Sequence, residues 1–194
     1  MLYPSRRRVL STTMLISRWF GRTVPVPQKS YTSLKEDIEA NPTIFGQLLR
    51  AEAPVQILFD EDDEFFAFRN IKPYAPLAGL VIPRRYIIQD PDGLAAEHLP
   101  LVLRLKDIGM KLVDRYYPSS RECGDYRLRF HRPPFNSVSH LHLHVLAPAS
   151  SFPISTHIVF AAPTPWAIDV DDVIARLKAE ADQEDSNSTL PLPS

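Results

Sequence analysis

Ser139-His140-Leu141-His142-Leu143-His144-Val145-Leu146 sets three histidines at alternate positions inside an otherwise apolar stretch. A β-strand turns its side chains to opposite faces with a period of two. Read as a strand, the segment presents all three imidazoles on one face and Leu141, Leu143 and Val145 on the other, toward a core. An imidazole titrates near neutrality and serves as nucleophile, general acid or base, or metal ligand. A lone histidine needs no such explanation. Three of the chain's six histidines on one face do, because burying them together without function strands ring nitrogens that need partners.

The remainder of the chain bounds the answer. At 194 residues, with 44% apolar residues, it is long enough for one domain with a single core. A net charge of −1 argues against a polyelectrolyte partner, so nucleic acid is not expected. The single cysteine, Cys123, excludes a disulfide framework and a cysteine-rich zinc site within one chain. No apolar run approaches the ~20 residues of a membrane helix. Six scattered glycines supply neither a Walker-A loop nor a GxGxxG turn.

Charge is unevenly placed. No acidic residue precedes Glu36, whereas Arg6, Arg7, Arg8, Arg18, Arg22, Lys29 and Lys35 are basic. Residues 1–32 therefore read either as a mitochondrial transit segment or as a basic arm. Localisation stays open between mitochondrial and cytoplasmic or nuclear. Residues 33–181 form the expected domain, and the Ser-, Asp- and Asn-rich tail 182–194 is expected to be disordered.

Within the domain, Asn41-Pro42-Thr43 reads as a helix start, with Ile44, Phe45, Leu48 and Leu49 on one face and Pro54 after it. Strands follow at Val55 to Phe59, Phe65 to Arg69 and Gly79 to Ile82. The acidic run Asp60-Glu61-Asp62-Asp63 between the first two reads as a hairpin turn. A long helix from Glu97 to Tyr117 shows an apolar stripe of Leu101, Leu105, Ile108 and Leu112. Asp125 to His131 is a strand and Val170 to Ala181 a last helix. These elements predict an α+β domain on an antiparallel sheet.

Two chemistries compete for the histidines. Strand residues rise ~3.3 Å each, so the outer two backbones lie roughly 13 Å apart. Zn–N bonds are only ~2.0–2.1 Å, so one ion cannot collect all three without a sharp bend. No metal or cofactor is expected. The alternative is covalent catalysis at phosphorus, with His142 as nucleophile and its neighbours binding oxygens or moving protons.

These residues also carry a resemblance. His140-Leu141-His142-Leu143-His144-Val145-Leu146 matches the His-φ-His-φ-His-φ-φ signature of the histidine triad (HIT) family. Ile44-Phe45-Gly46-Gln47-Leu48-Leu49-Arg50-Ala51-Glu52-Ala53-Pro54 resembles the opening helix of its Hint branch. Phe66 to Pro76 and Leu80 to Ile87 resemble the blocks that follow, and Phe130 to Ser139 with Ala147-Pro148 is most similar to the third Hint-type subgroup. The match runs in order over about residues 41–180.

The resemblance implies a HIT-like fold, with a five-stranded antiparallel sheet that continues into ten strands across a homodimer. It implies an adenosine 5′-monophosphoramidase that releases AMP through a nucleotidyl-histidine on His142. His140 and His144 would hold the α-phosphate and assist proton transfer, and Ser137 would bind or protonate the leaving group. Asn70 would meet the ribose hydroxyls. Ile44, Phe45, Leu48, Phe68, Ile71 and Leu80 would wall the purine. Ala78 departs from the pattern, standing where many members carry a fourth histidine. His131 and His98 have no counterpart role and read as surface or loop histidines. The alternatives are a dinucleoside polyphosphate hydrolase of Fhit type, using the same His142, and a non-catalytic purine-nucleotide-binding regulator.

Overall fold

The computed structural model describes residues 33–188. The basic segment 1–32, with the targeting expectation it carries, and residues 189–194 lie outside the described residues. Helices α1 (Leu34–Ala40) and α2 (Ile44–Leu49) lead into strands β1 (Ile57–Phe59), β2 (Phe65–Arg69) and β3 (Leu77–Pro83). Then come α3 (Leu99–Tyr116), α4 (Pro118–Cys123), β4 (Arg127–His131), β5 (Leu143–Ala147), α5 (Ile154–Val159), β6 (Ala167–Asp169) and α6 (Val170–Ser188).

The strands form one antiparallel sheet in the order β1-β2-β3-β5-β4-β6. The class is as expected, α+β on an antiparallel sheet, but the sheet has six strands rather than five. The extra strand, β6, lies along β4, pairing Arg129 with Asp169 and His131 with Ala167. Three residues are too few for a visible alternation of polar and apolar side chains. The free edges of this sheet are therefore β1 and β6.

Alternation explains the two faces. Phe65, Ala67, Leu77, Val81, Leu143 and Val145 join the main core under α3 and α6. Phe66, Phe68, Leu80 and Ile82 point the other way and pack with Phe45 of α2. On α3, Val102, Leu105, Ile108, Leu112 and Val113 are buried at helical spacing. Gly109 sets the approach of that helix: a Cβ there would come within 3.2 Å of Leu128 and Val145 side chains. The expected apolar face of α6 is also present, with Val170, Val173, Ile174 and Leu177 all buried. That helix runs on to Ser188, past Ala181, so the segment from Asp182 begins as helix.

Two local features differ from the sequence reading. Ser33 and Glu36 close a capping box on α1, an element the periodicity did not reveal. The acidic run after β1 is a turn, as expected, but three of its four carboxylates are paired: Asp60 with Arg84, Glu61 with Arg115 at 2.9 Å, and Asp62 with Arg104 at 2.7 Å. Arg104 and Arg115 lie on α3, so the turn is tied to the helix beneath the sheet. No helix among the described residues is long and apolar enough to cross a membrane.

Candidate active site

The histidine segment is extended, but only part of it belongs to the sheet. β5 starts at Leu143, so His144 sits in the ladder opposite Leu80 on β3 and Arg129 on β4. His140 and His142 lie in the lead-in to that strand. The alternation still holds: Leu141, Leu143 and Val145 enter the main core, while the histidines take the opposite face.

His142 donates its Nδ1–H to the carbonyl of His140 at 2.7 Å. A carbonyl can only accept, so this bond fixes the tautomer and leaves Nε2 with its lone pair. The ring is only 6% exposed and borders a cavity. Burial pushes its pKa down to about 4, so the nucleophilic nitrogen is unprotonated at neutral pH. Phe45 packs edge-on against both His142 and His140, with ring centroids 5.4 and 5.6 Å away.

His140 is placed differently from the expectation. Its Nε2 lies 2.8 Å from the carbonyl of Pro83, and its Nδ1 lies 3.0 Å from Nδ2 of Asn41. The Asn41 amide is oriented by Thr43, whose N–H and hydroxyl both donate to Oδ1, at 3.0 and 2.8 Å. Nδ2 is therefore the group that donates to His140, and His140 donates from Nε2. Both ring nitrogens are engaged, the residue is 0% exposed, and it does not border the cavity. The His140 ring, expected at the α-phosphate, is placed outside the cavity lining, with its carbonyl on Nδ1–H of His142. Asn41, 1% exposed, is the partner of this ring that the sequence reading missed.

His144 is the converse case. It is 5% exposed and borders the cavity, and neither ring nitrogen has a hydrogen-bond partner among the described residues. Burial, aided by the neighbouring His142 and His131, holds its pKa well below the usual histidine value. A neutral imidazole in that position has one donor and one acceptor to offer a polar group entering the cavity.

That cavity has a volume of about 790 Å³. It collects Asn70 and all six expected wall residues, Ile44, Phe45, Leu48, Phe68, Ile71 and Leu80, together with Ser137, His142 and His144. Ile71 is 94% exposed, so it forms a lip rather than a wall. Asn70 accepts from the backbone N–H of Lys72 at 3.0 Å through Oδ1, which leaves its Nδ2 donor for a ligand. The opposite side, formed by Tyr74, Phe135, Ile158, Val159 and Trp166, was not anticipated. Neither was His131, which borders the cavity beside His144, with ring centroids 4.5 Å apart. Its reading as a surface histidine is corrected. His98 accepts from the backbone N–H of Ala95 at 3.0 Å and stays a capping side chain. Ala78 is fully buried among Leu146, Phe152 and Phe160.

His131, His140, His142 and His144 all have pKa values lowered primarily by burial. The unfolded chain, with histidines near 6.5, thus binds protons that the folded chain refuses, and stability falls as pH drops below that value. For His142 the window runs from 6.5 to about 4, a loss of about 3 kcal/mol, and the others act with the same sign. Urea denaturation from pH 7.5 to 4.5 is expected to show a midpoint that is flat above pH 7 and declines below 6.5. A midpoint constant to pH 4.5 would contradict neutral burial.

Residues 42–159 match the family model described as "Scavenger mRNA decapping enzyme C-term binding". The chain is 32% identical to adenosine 5′-monophosphoramidase HINT3 of Mus musculus over 159 residues, which cover 81% of this chain and 94% of that protein. It is also 32% identical to the HINT3 protein of Xenopus tropicalis over 136 residues, covering 70% and 87% respectively. A HIT family hydrolase from Legionella pneumophila Philadelphia 1 superposes with a TM-score of 0.47 at 28% identity, covering 53% of this chain and 89% of that one. With its ordered histidine segment and the two HINT3 relatives, the chain belongs to the histidine triad family of hydrolases.

Proposed function

We propose that this hydrolase cleaves the P–N bond of adenosine 5′-phosphoramidates, and the corresponding P–O bond to the acyl group of aminoacyl-adenylate-like substrates, releasing AMP through a nucleotidyl-histidine on His142. The observation that carries the reading is the His142 ring, anchored through Nδ1–H on the His140 carbonyl so that its Nε2 lone pair is left for phosphorus. The names of the HINT3 relatives support the substrate class.

Nε2 attacks the α-phosphorus and the P–N bond breaks, the departing nitrogen drawing a proton from solvent through the Ser137 hydroxyl, a proton that the attacking water returns in the next step. The positive charge left on the ring is shared with the His140 carbonyl through Nδ1–H, a bond that strengthens as the charge develops. Water then attacks phosphorus, the P–Nε2 bond breaks, and AMP leaves with the ring returned to its neutral form. His144 supplies a donor to a phosphate oxygen. The Ser137 hydroxyl, on the exposed loop at the cavity mouth, assists the leaving group. Asn70 Nδ2 meets the ribose, and the purine lies among Phe45, Leu48, Phe68 and Leu80.

The test is incubation of the purified chain with adenosine 5′-phosphoramidate in EDTA, with an early alkaline quench. The expected result is ammonia release that exceeds free AMP by the amount of adenylyl group on His142 at early times and equals it at completion. Faster cleavage of a dinucleoside polyphosphate would transfer the same nucleophile to the Fhit-type reading. AMP binding with no turnover on either substrate would leave the regulator reading. A homodimer and a purine nucleotide as the partner molecules belong to the same proposal, the first checked by light scattering.

A further inference from the structure

Donation to a phosphate oxygen needs a histidine whose tautomer is set, and neither nitrogen of His144 has a partner to set it. The elements packed around it offer few polar groups. β3 faces it with Leu80 and, one pair further along, with Ala78. On its own segment the nearest ring is His142, at 5.0 Å. β4 brings Arg129 directly opposite, but that guanidinium is ion-paired with Asp169 of β6. What remains is His131, two residues along β4 and on the same face.

His131 is itself held firmly. Its Nε2 lies 3.3 Å from the carbonyl of Val159 at the end of α5, so Nε2 carries the proton and Nδ1 is the acceptor in the neutral ring. One side of the ring stacks on Phe160, at 4.8 Å and 24°. His144 lies at 4.5 Å and 49°. A fixed ring with a single acceptor nitrogen thus stands against a buried ring with no partner.

We propose that His131 is the positioning residue of His144: anchored by Val159 and Phe160, it fixes the ring plane by contact, and the dipole of its own fixed tautomer, not a hydrogen bond, sets the tautomer with which His144 meets the phosphoryl group. The inference rests on the proposed phosphoramidase reading for its kinetic consequence, but not for its structural one.

His131→Phe tests it, because the aromatic ring between Phe160 and His144 is kept while both nitrogens are lost. In the wild-type chain, ¹⁵N shifts of the imidazole nitrogens are expected to show His144 in one neutral tautomer. In His131→Phe they are expected to show a mixture. Turnover of adenosine 5′-phosphoramidate is expected to fall by up to ~100-fold in kcat, with AMP affinity within about twofold. An unchanged His144 tautomer together with wild-type kcat overturns the proposal. Should His131→Phe fail to fold, His131→Asn, with the same two readouts, replaces it. A wild-type chain without phosphoramidase activity would defeat the functional reading alone, since the tautomer comparison needs no turnover.

Discussion

Turnover in His142→Ala is expected to fall by roughly 10⁴-fold or more, with no adenylyl-enzyme detectable and AMP still bound. Removal of a nucleophile eliminates the covalent route itself, and losses of this order accompany such changes. AMP affinity is expected to survive because Leu48, Phe68, Leu80 and Asn70, proposed to meet purine and ribose, make no ring contact with the imidazole, and Phe45 loses only its edge contact with it. The variant also leaves the His140 carbonyl without the 2.7 Å donor it now has, at a cost of about 1–3 kcal/mol for an unsatisfied buried acceptor. His142→Asn separates these effects, since its side-chain amide offers a donor to that carbonyl but no nucleophile. Thermal melts are expected to rank wild type first, Asn next and Ala last. Quench-flow is expected to show equal loss of the intermediate in both variants. Residual burst kinetics in either would place the nucleophile elsewhere.

Local periodicity made the histidine face legible in the chain, the resemblance supplied the wall, and long-range polar pairing hid the rest. The alternation from His140 to Val145 told which residues face the core, because a period of two survives whether or not the segment is hydrogen-bonded into the sheet. The three- and four-residue spacing of α3 and α6 was equally plain. In contrast, Asn41 meets His140 across 99 positions, and its role needs both segments in place. His131 reads as one polar residue in the alternating strand β4. Only the pairing of β4 with β5 sets it beside His144. The six apolar wall residues were found by resemblance, since in the bare pattern they cannot be told from core. β6 escaped because three residues hold too few periods to register, and α1 because it buries no residue and so carries no core-facing stripe.

Asn41 carries the second large effect. In Asn41→Leu, the His140 Nδ1 and the Thr43 N–H lose their partners at once, each at about 1–3 kcal/mol when buried. A loss of about 3 kcal/mol corresponds to a fall in Tm of roughly 6–12 °C for a domain of this size. Asn41→Asp makes a sharper test, because a carboxylate only accepts. With Nε2–H committed to Pro83, His140 can satisfy the introduced carboxylate only by protonating Nδ1, so the ring becomes a cation behind the nucleophile. Its field disfavours the positive charge that develops on His142 as the P–N bond breaks, and kcat is expected to fall more in Asn41→Asp than in Asn41→Leu. Gly46 gives an independent route to the same lesion. A Cβ there would lie 2.3 Å from the Asn41 carbonyl oxygen and 2.9 Å from its side chain, so Gly46→Ala displaces Asn41 without altering its chemistry. Loss of kcat in all three variants, with AMP affinity preserved, would assign catalysis to the Asn41–His140 support. Wild-type kcat in Asn41→Asp would show that the His140 tautomer does not reach the nucleophile.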